Sequence, residues 1–241
     1  KFLLQVGRNG QSKGNTDTAN LNRAAEAEVD LAANDVYVAD GYGNRRVTIV
    51  DAATGKYIGH FGAYGNNPVD DKAAAAAGPW MNDFTKGNMK PAFFRNPVHC
   101  VKISKEGLIY VCDRGNNRIQ VFRQNGEFVR ERILRPLCGA QEQATWVPKR
   151  PCGVEAAFSV ALSHDAPQTY LYVADGGTHV VAVLRRSDLE VVDEFAGPGV
   201  APGQLGRPHN LTVDPAGNLY VAEAGGPKVT HPTTGAQVDA G

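Results

Sequence analysis

The stretch Arg207-Pro-His-Asn-Leu-Thr-Val-Asp-Pro-Ala-Gly-Asn-Leu-Tyr-Val-Ala-Glu223 constrains this chain most, because versions of it occur four times. Polarity alternates on both sides of its Pro-Ala-Gly-Asn turn, which is the mark of a β-hairpin. A second version runs from Asn96 to Asp113, and two more end in Val36-Tyr-Val-Ala-Asp40 and Leu171-Tyr-Val-Ala-Asp175. Aligned on Tyr37, Tyr110, Tyr172 and Tyr220, the copies stand 73, 62 and 48 residues apart. Insertions at 65–92 and 136–151 lengthen the first two intervals. Without them the period falls to roughly 45 residues, in the range of propeller blades.

Each unit reads as four strands, so the expected fold class is all-β, a β-propeller of four-stranded blades. Blade 2 (93–133) shows the pattern best: His99–Ile103, Leu108–Cys112, Arg118–Phe122 and Glu127–Arg132. Blade 1 (21–63) and blade 3 (152–196) repeat it, and blade 4 (206–241) begins well but degrades after Gly225. Residues 1–7 read as an orphan outer strand. A four-stranded sheet cannot bury both faces alone, so blades stack radially. Two closures stay open. The orphan strand completes blade 4 in a four-bladed ring, or the chain is part of a larger ring. The ragged tail and a start without initiator Met or signal peptide favour a processed or truncated product. The Ala-rich run at 73–77 adds at most a helical turn inside an insert.

Composition narrows the partners. The 25 basic and 25 acidic residues of 241 balance, which argues against nucleic acid or an anionic membrane surface. No apolar run approaches the ~20 residues that span a bilayer. Cys100 and Cys112 sit on the two arms of one hairpin, about equidistant from its turn, and should face each other or lie one register apart. Cys138 and Cys152 bracket the second insertion and would staple it. Four buried free thiols are the alternative. Two bridges would imply an oxidising compartment, hence an extracytoplasmic (periplasmic or secreted) location.

Propeller topology puts the start of each first strand and the end of each second strand on one face. The first-strand starts are Ala25, His99, Phe158 and His209, and Tyr42 and Arg114 follow second-strand ends. His99, His209, Tyr42 and Arg114 therefore converge near the channel mouth, with both insertions rising over the same face as a lid. Neutral imidazoles are good zinc ligands, but a catalytic zinc takes three protein ligands and one open position. Only two appear. The alternative for each is a polar channel residue bonded to water. His60, His164, His179 and His231 read as structural. Asp40 with Arg46, and Asp113 with Arg118, read as ties between a strand-end carboxylate and the next strand. Blade 3 keeps Asp175 without the arginine, which makes that tie optional.

The segments Gly41-Tyr-Gly-Asn-Arg-Arg-Val and Asp113-Arg-Gly-Asn-Asn-Arg-Ile-Gln-Val-Phe resemble NHL repeats. The order and differences of the copies, from residue 1 to about 225, resemble the propeller of the peptidyl-α-hydroxyglycine α-amidating lyases. That resemblance implies a six-bladed ring with a channel zinc on three histidines in alternate blades. His99 and His209 match two, and the third would precede Lys1. It gives Tyr42 the place of the catalytic tyrosine and Arg114 that of an active-site arginine, while a second family arginine falls in the missing blade. It also implies a structural calcium. Three departures stand out: Pro97-Val-His99 where the family has Pro-His, Asn210 where it has a calcium-holding aspartate, and cysteine pairs that do not match.

Two functions follow as expectations. In the first, zinc lowers the pKa of the hydroxyl of a C-terminal α-hydroxyglycine and Tyr42 removes its proton. C–N cleavage then yields peptide amide and glyoxylate, and Arg114 neutralises the substrate carboxylate or the tyrosinate. In the second, the propeller is non-catalytic and its insert-decorated face binds a peptide, protein or glycan, since a repeat specifies fold rather than activity. A different metal-dependent hydrolase would need channel carboxylates; Glu26 and Glu28 are the nearest.

Overall fold

The computed structural model describes residues 3–70, 91–135, 155–225, 228–230 and 237–239. Blade 1 comprises β1 (Glu26–Asp30), β2 (Asp35–Asp40), β3 (Arg46–Asp51) and β4 (Tyr57–Phe61). Blade 2 comprises β5 (Val98–Ile103), β6 (Ile109–Asp113), β7 (Arg118–Phe122) and β8 (Phe128–Ile133). Blade 3 comprises β9 (Ala157–Leu162), β10 (Tyr170–Asp175), β11 (Val180–Arg185) and β12 (Glu190–Phe195). In each, neighbouring strands pair antiparallel in chain order. Blade 4 holds the hairpin β13 (Pro208–Val213) and β14 (Leu219–Glu223). After it, where the sequence reads as degraded, β15 (Lys228–Thr230) and β16 (Gln237–Asp239) form a separate two-stranded ribbon.

The strands form where β-branched and aromatic residues alternate, and they end at side-chain-capped turns. Asp51 is typical: its Oδ1 accepts from the Thr54 amide at 2.7 Å and hydroxyl at 2.6 Å, with Gly55 at φ 69° completing the turn. Burial grades across each blade. β6 and β7 are buried at every residue, whereas the outer β12 is mostly exposed. Sheets stack through three apolar seams. Val47, Phe61, Phe94 and Phe122 fill the first, Cys100, Ile119, Val160 and Leu171 the second, and Phe158, Val181 and Leu211 the third. Phe61 and Phe122 meet across the first seam with centroids 4.7 Å apart. Emptying such a buried aromatic position costs about 3–5 kcal/mol.

The repeated tyrosine of the second strand reaches the following blade. The Tyr37 hydroxyl donates to the Gln124 carbonyl, and Arg186 donates to the Tyr110 hydroxyl, each at a third-to-fourth-strand turn. Tyr220 in blade 4 is exposed, its hydroxyl turned onto Asp214. The Asp–Arg ties are present and fully buried: Arg46 Nε lies 2.9 Å from Asp40 Oδ2, and Arg118 Nε 2.7 Å from Asp113 Oδ2. Blade 3 does not dispense with its tie. Arg135, just beyond β8 of the preceding blade, places Nε 2.6 Å from Asp175 Oδ2, so a neighbour supplies the missing cation. A buried carboxylate left alone would be severely destabilised, which is why one is recruited.

Cys100 and Cys112 stand directly opposite in the β5–β6 ladder and are disulfide-bonded. Cys138, Cys152, His231, the Ala-rich run and most of both insertions lie outside the described residues. The segment from Leu3 to Val6 forms no strand, against the expectation of an outer strand. Blade 1 already carries four strands, and the N-terminal segment packs on it instead. The Arg46 guanidinium donates to the carbonyls of Asn15, Asp17 and Asn20, and Leu4 and Val6 lie beside Gly55.

Candidate functional site at the channel face

The first strands β1, β5, β9 and β13 pack on one another in sequence and carry the site. In β5, β9 and β13 the ladder with the second strand shifts by one residue, between Val98 and Cys100, Ala157 and Ser159, and Pro208 and Asn210. The extra residues are His99, Phe158 and His209. A bulge re-aims the side chain it inserts, and here three bulges gather an imidazole, a phenyl ring and an imidazole. The His99 and His209 centroids are 4.8 Å apart at 73°, and Phe158 lies 5.3 Å from the first and 5.1 Å from the second.

Tyr42 arrives from the β2–β3 loop because Gly41 lets that loop touch β5: a Cβ on Gly41 would sit 1.8 Å from the Val98 carbonyl oxygen. Asn96 secures the loop, donating to the carbonyls of Gly41 and Asn44 at 2.8 Å each. These contacts set a hydrogen-bonded row. Arg114 Nη1 donates to the Tyr42 hydroxyl at 3.2 Å, that hydroxyl lies 2.9 Å from His99 Nε2, and His99 Nδ1 lies 2.6 Å from the Phe158 carbonyl oxygen. A carbonyl only accepts, so Nδ1 carries the proton, and Nε2 accepts from Tyr42. Burial holds His99 down to about 4 despite the Phe158 carbonyl, and Arg114 and His209 add to the effect. His209 is lowered too, by burial and by Arg114 and Arg207. Both imidazoles are therefore neutral near pH 7.

Ala24, Ala25, Glu26, Tyr42, His99 and His209 border a cleft of about 140 Å³. Behind Tyr42 and Phe158, which line the cleft, Glu155 pairs with two arginines. Its Oε2 lies 2.5 Å from Arg114 Nη2 and 3.1 Å from Arg207 Nη2. Both guanidiniums lie over the Phe158 ring, 3.8 and 5.0 Å from its centroid.

The chain thus brings together the four residues that topology singled out. It adds Glu155, Arg207 and Asn96, which sequence reasoning passed over. A signal existed for Glu155: three residues before each first-strand start stand Asn22, Asn96, Glu155 and Gly206, and only one copy has an acid there. The two imidazoles suit a divalent metal. A ligating histidine commonly donates its other nitrogen to a backbone carbonyl, as His99 does to Phe158. Among the described residues no group of three His, Cys, Asp or Glu gathers to complete such a site. Asn210 accepts from the Ser159 hydroxyl at 3.2 Å. Its neutral amide brings no charge to a cation, and no calcium is proposed. His60 is in β4, His164 in the β9–β10 turn and His179 before β11, all away from the cleft.

Four-stranded antiparallel sheets stacked blade on blade, with polar residues gathered at one face, define a β-propeller. The NHL repeat family matches residues 96–122, from the Asn96 anchor through β7, so blade 2 carries an NHL repeat. It is 30% identical over 155 residues to NHL repeat-containing protein 3 of Homo sapiens, across 58% of this chain and 35% of that protein. It is 26% identical over 231 residues to peptidyl-glycine alpha-amidating monooxygenase B of Xenopus laevis, across 92% of this chain and 21% of that protein. The chain thus spans about a third and about a fifth of the lengths of these relatives. Among solved structures, Kuenenia stuttgartiensis hydrazine synthase superposes with a TM-score of 0.52 at 14% identity, over 91% of this chain and 47% of that one. A functionally unknown protein from Desulfotomaculum acetoxidans DSM 771 gives 0.50 at 13% identity, over 90% and 54%. At such identities the likeness concerns fold alone. Among the described residues no helix is long and apolar enough to cross a membrane.

Proposed function

We propose that the cleft is a metal-dependent lyase site that takes a peptide ending in α-hydroxyglycine and releases the peptide amide and glyoxylate. The observation that carries this reading is the row Arg114–Tyr42–His99, with His209 beside it. The similarity to the amidating monooxygenase over 92% of the chain supports it. His99 and His209 would hold the metal as neutral imidazoles, His99 through Nε2 in place of its bond to the Tyr42 hydroxyl. A bound zinc ion would supply Lewis acidity toward the substrate hydroxyl. A third protein ligand, in this reading, lies outside the described residues.

Tyr42 would act as the phenolate, its own proton lost to solvent and its oxygen held by Arg114, which already donates to it; it would take the hydroxyl proton and become the phenol. The oxygen lone pair then forms the aldehyde C=O as the C–N bond breaks. The bond electrons leave on nitrogen, which recovers the proton as the amide product. The ligand is accordingly a peptide at the channel face. The Cys100–Cys112 bridge adds an oxidising, extracytoplasmic compartment to the proposal.

The test is glyoxylate release from α-hydroxyhippurate by the zinc-loaded chain. His99→Ala and His209→Ala are each expected to lose zinc and turnover while keeping β-rich circular dichroism. Zinc retention or glyoxylate formation by the double variant would overturn the reading.

A further inference from the structure

The Arg114–Glu155–Arg207 cluster is not used by the row above, beyond the one Arg114 contact to Tyr42. Two guanidiniums converge on a single carboxylate oxygen next to Tyr42 and Phe158 of the cleft. Arg114 comes from the turn after β6, Glu155 from the approach to β9 and Arg207 from the approach to β13, so three blades meet in one ionic group. The Phe158 ring supports both guanidiniums from below, and a cation over a ring face is held without spending its N–H donors. The partners differ in exposure. The Arg114 side chain is 9% exposed, whereas Glu155 and Arg207 are 40% and 44% exposed. The buried arginine is fixed, and the acid that neutralises it is reachable by solvent. Arg114 Nε adds a second observation: it is a buried donor without a hydrogen-bond partner among the described residues. An unpaired buried donor is costly, and an incoming acceptor relieves that cost.

We propose that Arg114 and Arg207 form a two-armed clamp for a ligand carboxylate, and that Glu155 is an internal carboxylate which occupies the clamp until the ligand displaces it. Glu155 itself demonstrates that a carboxylate fits between the two guanidiniums. Its side chain, 40% exposed, can swing out, whereas an acid buried beside Arg114 could not leave. The clamp makes Arg207 and Glu155 specificity-determining: Arg207 adds affinity for a terminal carboxylate over a terminal amide, and Glu155 sets the threshold a ligand must exceed. It also explains a sequence oddity, the one acid among Asn22, Asn96, Glu155 and Gly206. The proposal deepens the lyase reading and rests on it for the choice of a peptide ligand.

Calorimetric titration in EDTA separates the two, because it needs neither metal nor turnover. The ligands are N-acetyl-Phe-Gly, its C-terminal amide, and acetate, against the full chain and the variants Arg207→Gln, Arg207→Lys and Glu155→Gln. The carboxylate peptide is expected to bind more tightly than the amide. Arg207→Gln should weaken only the carboxylate form, by roughly ten-fold for one charge-assisted hydrogen bond, and Arg207→Lys should restore part of it. Glu155→Gln should tighten the carboxylate form by a similar factor and leave the amide unchanged. Acetate binding that follows the same order assigns the clamp to the carboxylate alone; acetate too weak to detect, with the peptide order kept, assigns it to a peptide C-terminus. Equal affinity for peptide acid and amide, an unchanged or weakened acid in Glu155→Gln, or no peptide binding by wild type and Glu155→Gln alike, overturns the clamp. Carboxylate preference without glyoxylate release would sink the lyase reading and leave the clamp; glyoxylate release indifferent to Glu155→Gln would do the reverse.

Discussion

Gly41→Ala is a small change with a calculable consequence at the site. A methyl group there would lie 1.8 Å from the Val98 oxygen, 2.4 Å from its nitrogen and 2.5 Å from its carbonyl carbon, all backbone atoms of β5. No side chain can rotate away. Reaching even a 3.0 Å contact requires the β2–β3 loop and β5 to part by about 1.2 Å. The loop is held to blade 2 by the two Asn96 bonds of 2.8 Å, and Tyr42 to His99 by one of 2.9 Å, so a movement of that size breaks bonds of both kinds. Overpacking of this type costs about 1–3 kcal/mol, and each lost hydrogen bond adds about 1 kcal/mol. With at least one bond of each kind lost, the expected loss is about 3–5 kcal/mol in urea unfolding, read as a lower midpoint at unchanged slope. Gly59→Ala is the control, since a Cβ in β4 would meet no atom within 4 Å. It should stay within about 0.5 kcal/mol of wild type or gain slightly. If Gly41→Ala unfolds at the same urea concentration as Gly59→Ala, the close approach is not what positions Tyr42.

Two further outcomes follow from the same structure. Reducing the Cys100–Cys112 bridge, which closes a 12-residue separation, should lower stability by about 3 kcal/mol, measured as a shift in urea midpoint with and without reductant; a Cys100→Ser/Cys112→Ser variant that ignores reductant but matches the oxidised protein would contradict it. In EDTA, His99 couples folding to pH, because its folded value is about 4 against an ordinary 6.5. A depressed imidazole favours the neutral form in the fold, so its contribution is complete above pH 6.5 and is lost as pH falls through that window, by about 3 kcal/mol in all. His99→Phe should flatten that part of the curve, and an unaltered slope in the variant would refute the assignment.

The repeated Tyr-Val-[Ala/Cys]-[Asp/Glu] hairpin makes the four-stranded blade and its strand order legible in the sequence, because period-2 alternation and turn residues act over a few positions. It also made His99, His209, Tyr42 and Arg114 candidates, since propeller connectivity alone puts strand starts and strand ends on one face. The buried Asp40–Arg46 and Asp113–Arg118 ties were legible for the same local reason. The N-terminal segment was misjudged as a strand because its alternation says nothing of where a free sheet edge is. Leu4 and Val6 lie instead against the Gly55 turn of blade 1, a choice made by packing.

Local pattern therefore determined the sheets and which residues face the channel. Tertiary structure decided everything that depends on two blades meeting. Arg135 rather than a residue of blade 3 neutralises Asp175, and Glu155 joins Arg114 to Arg207. Three one-residue bulges turn His99, Phe158 and His209 inward together. The physical reason is range. A hairpin is specified by neighbours in sequence, whereas charge compensation and ring contacts at a blade seam are specified by neighbours in space.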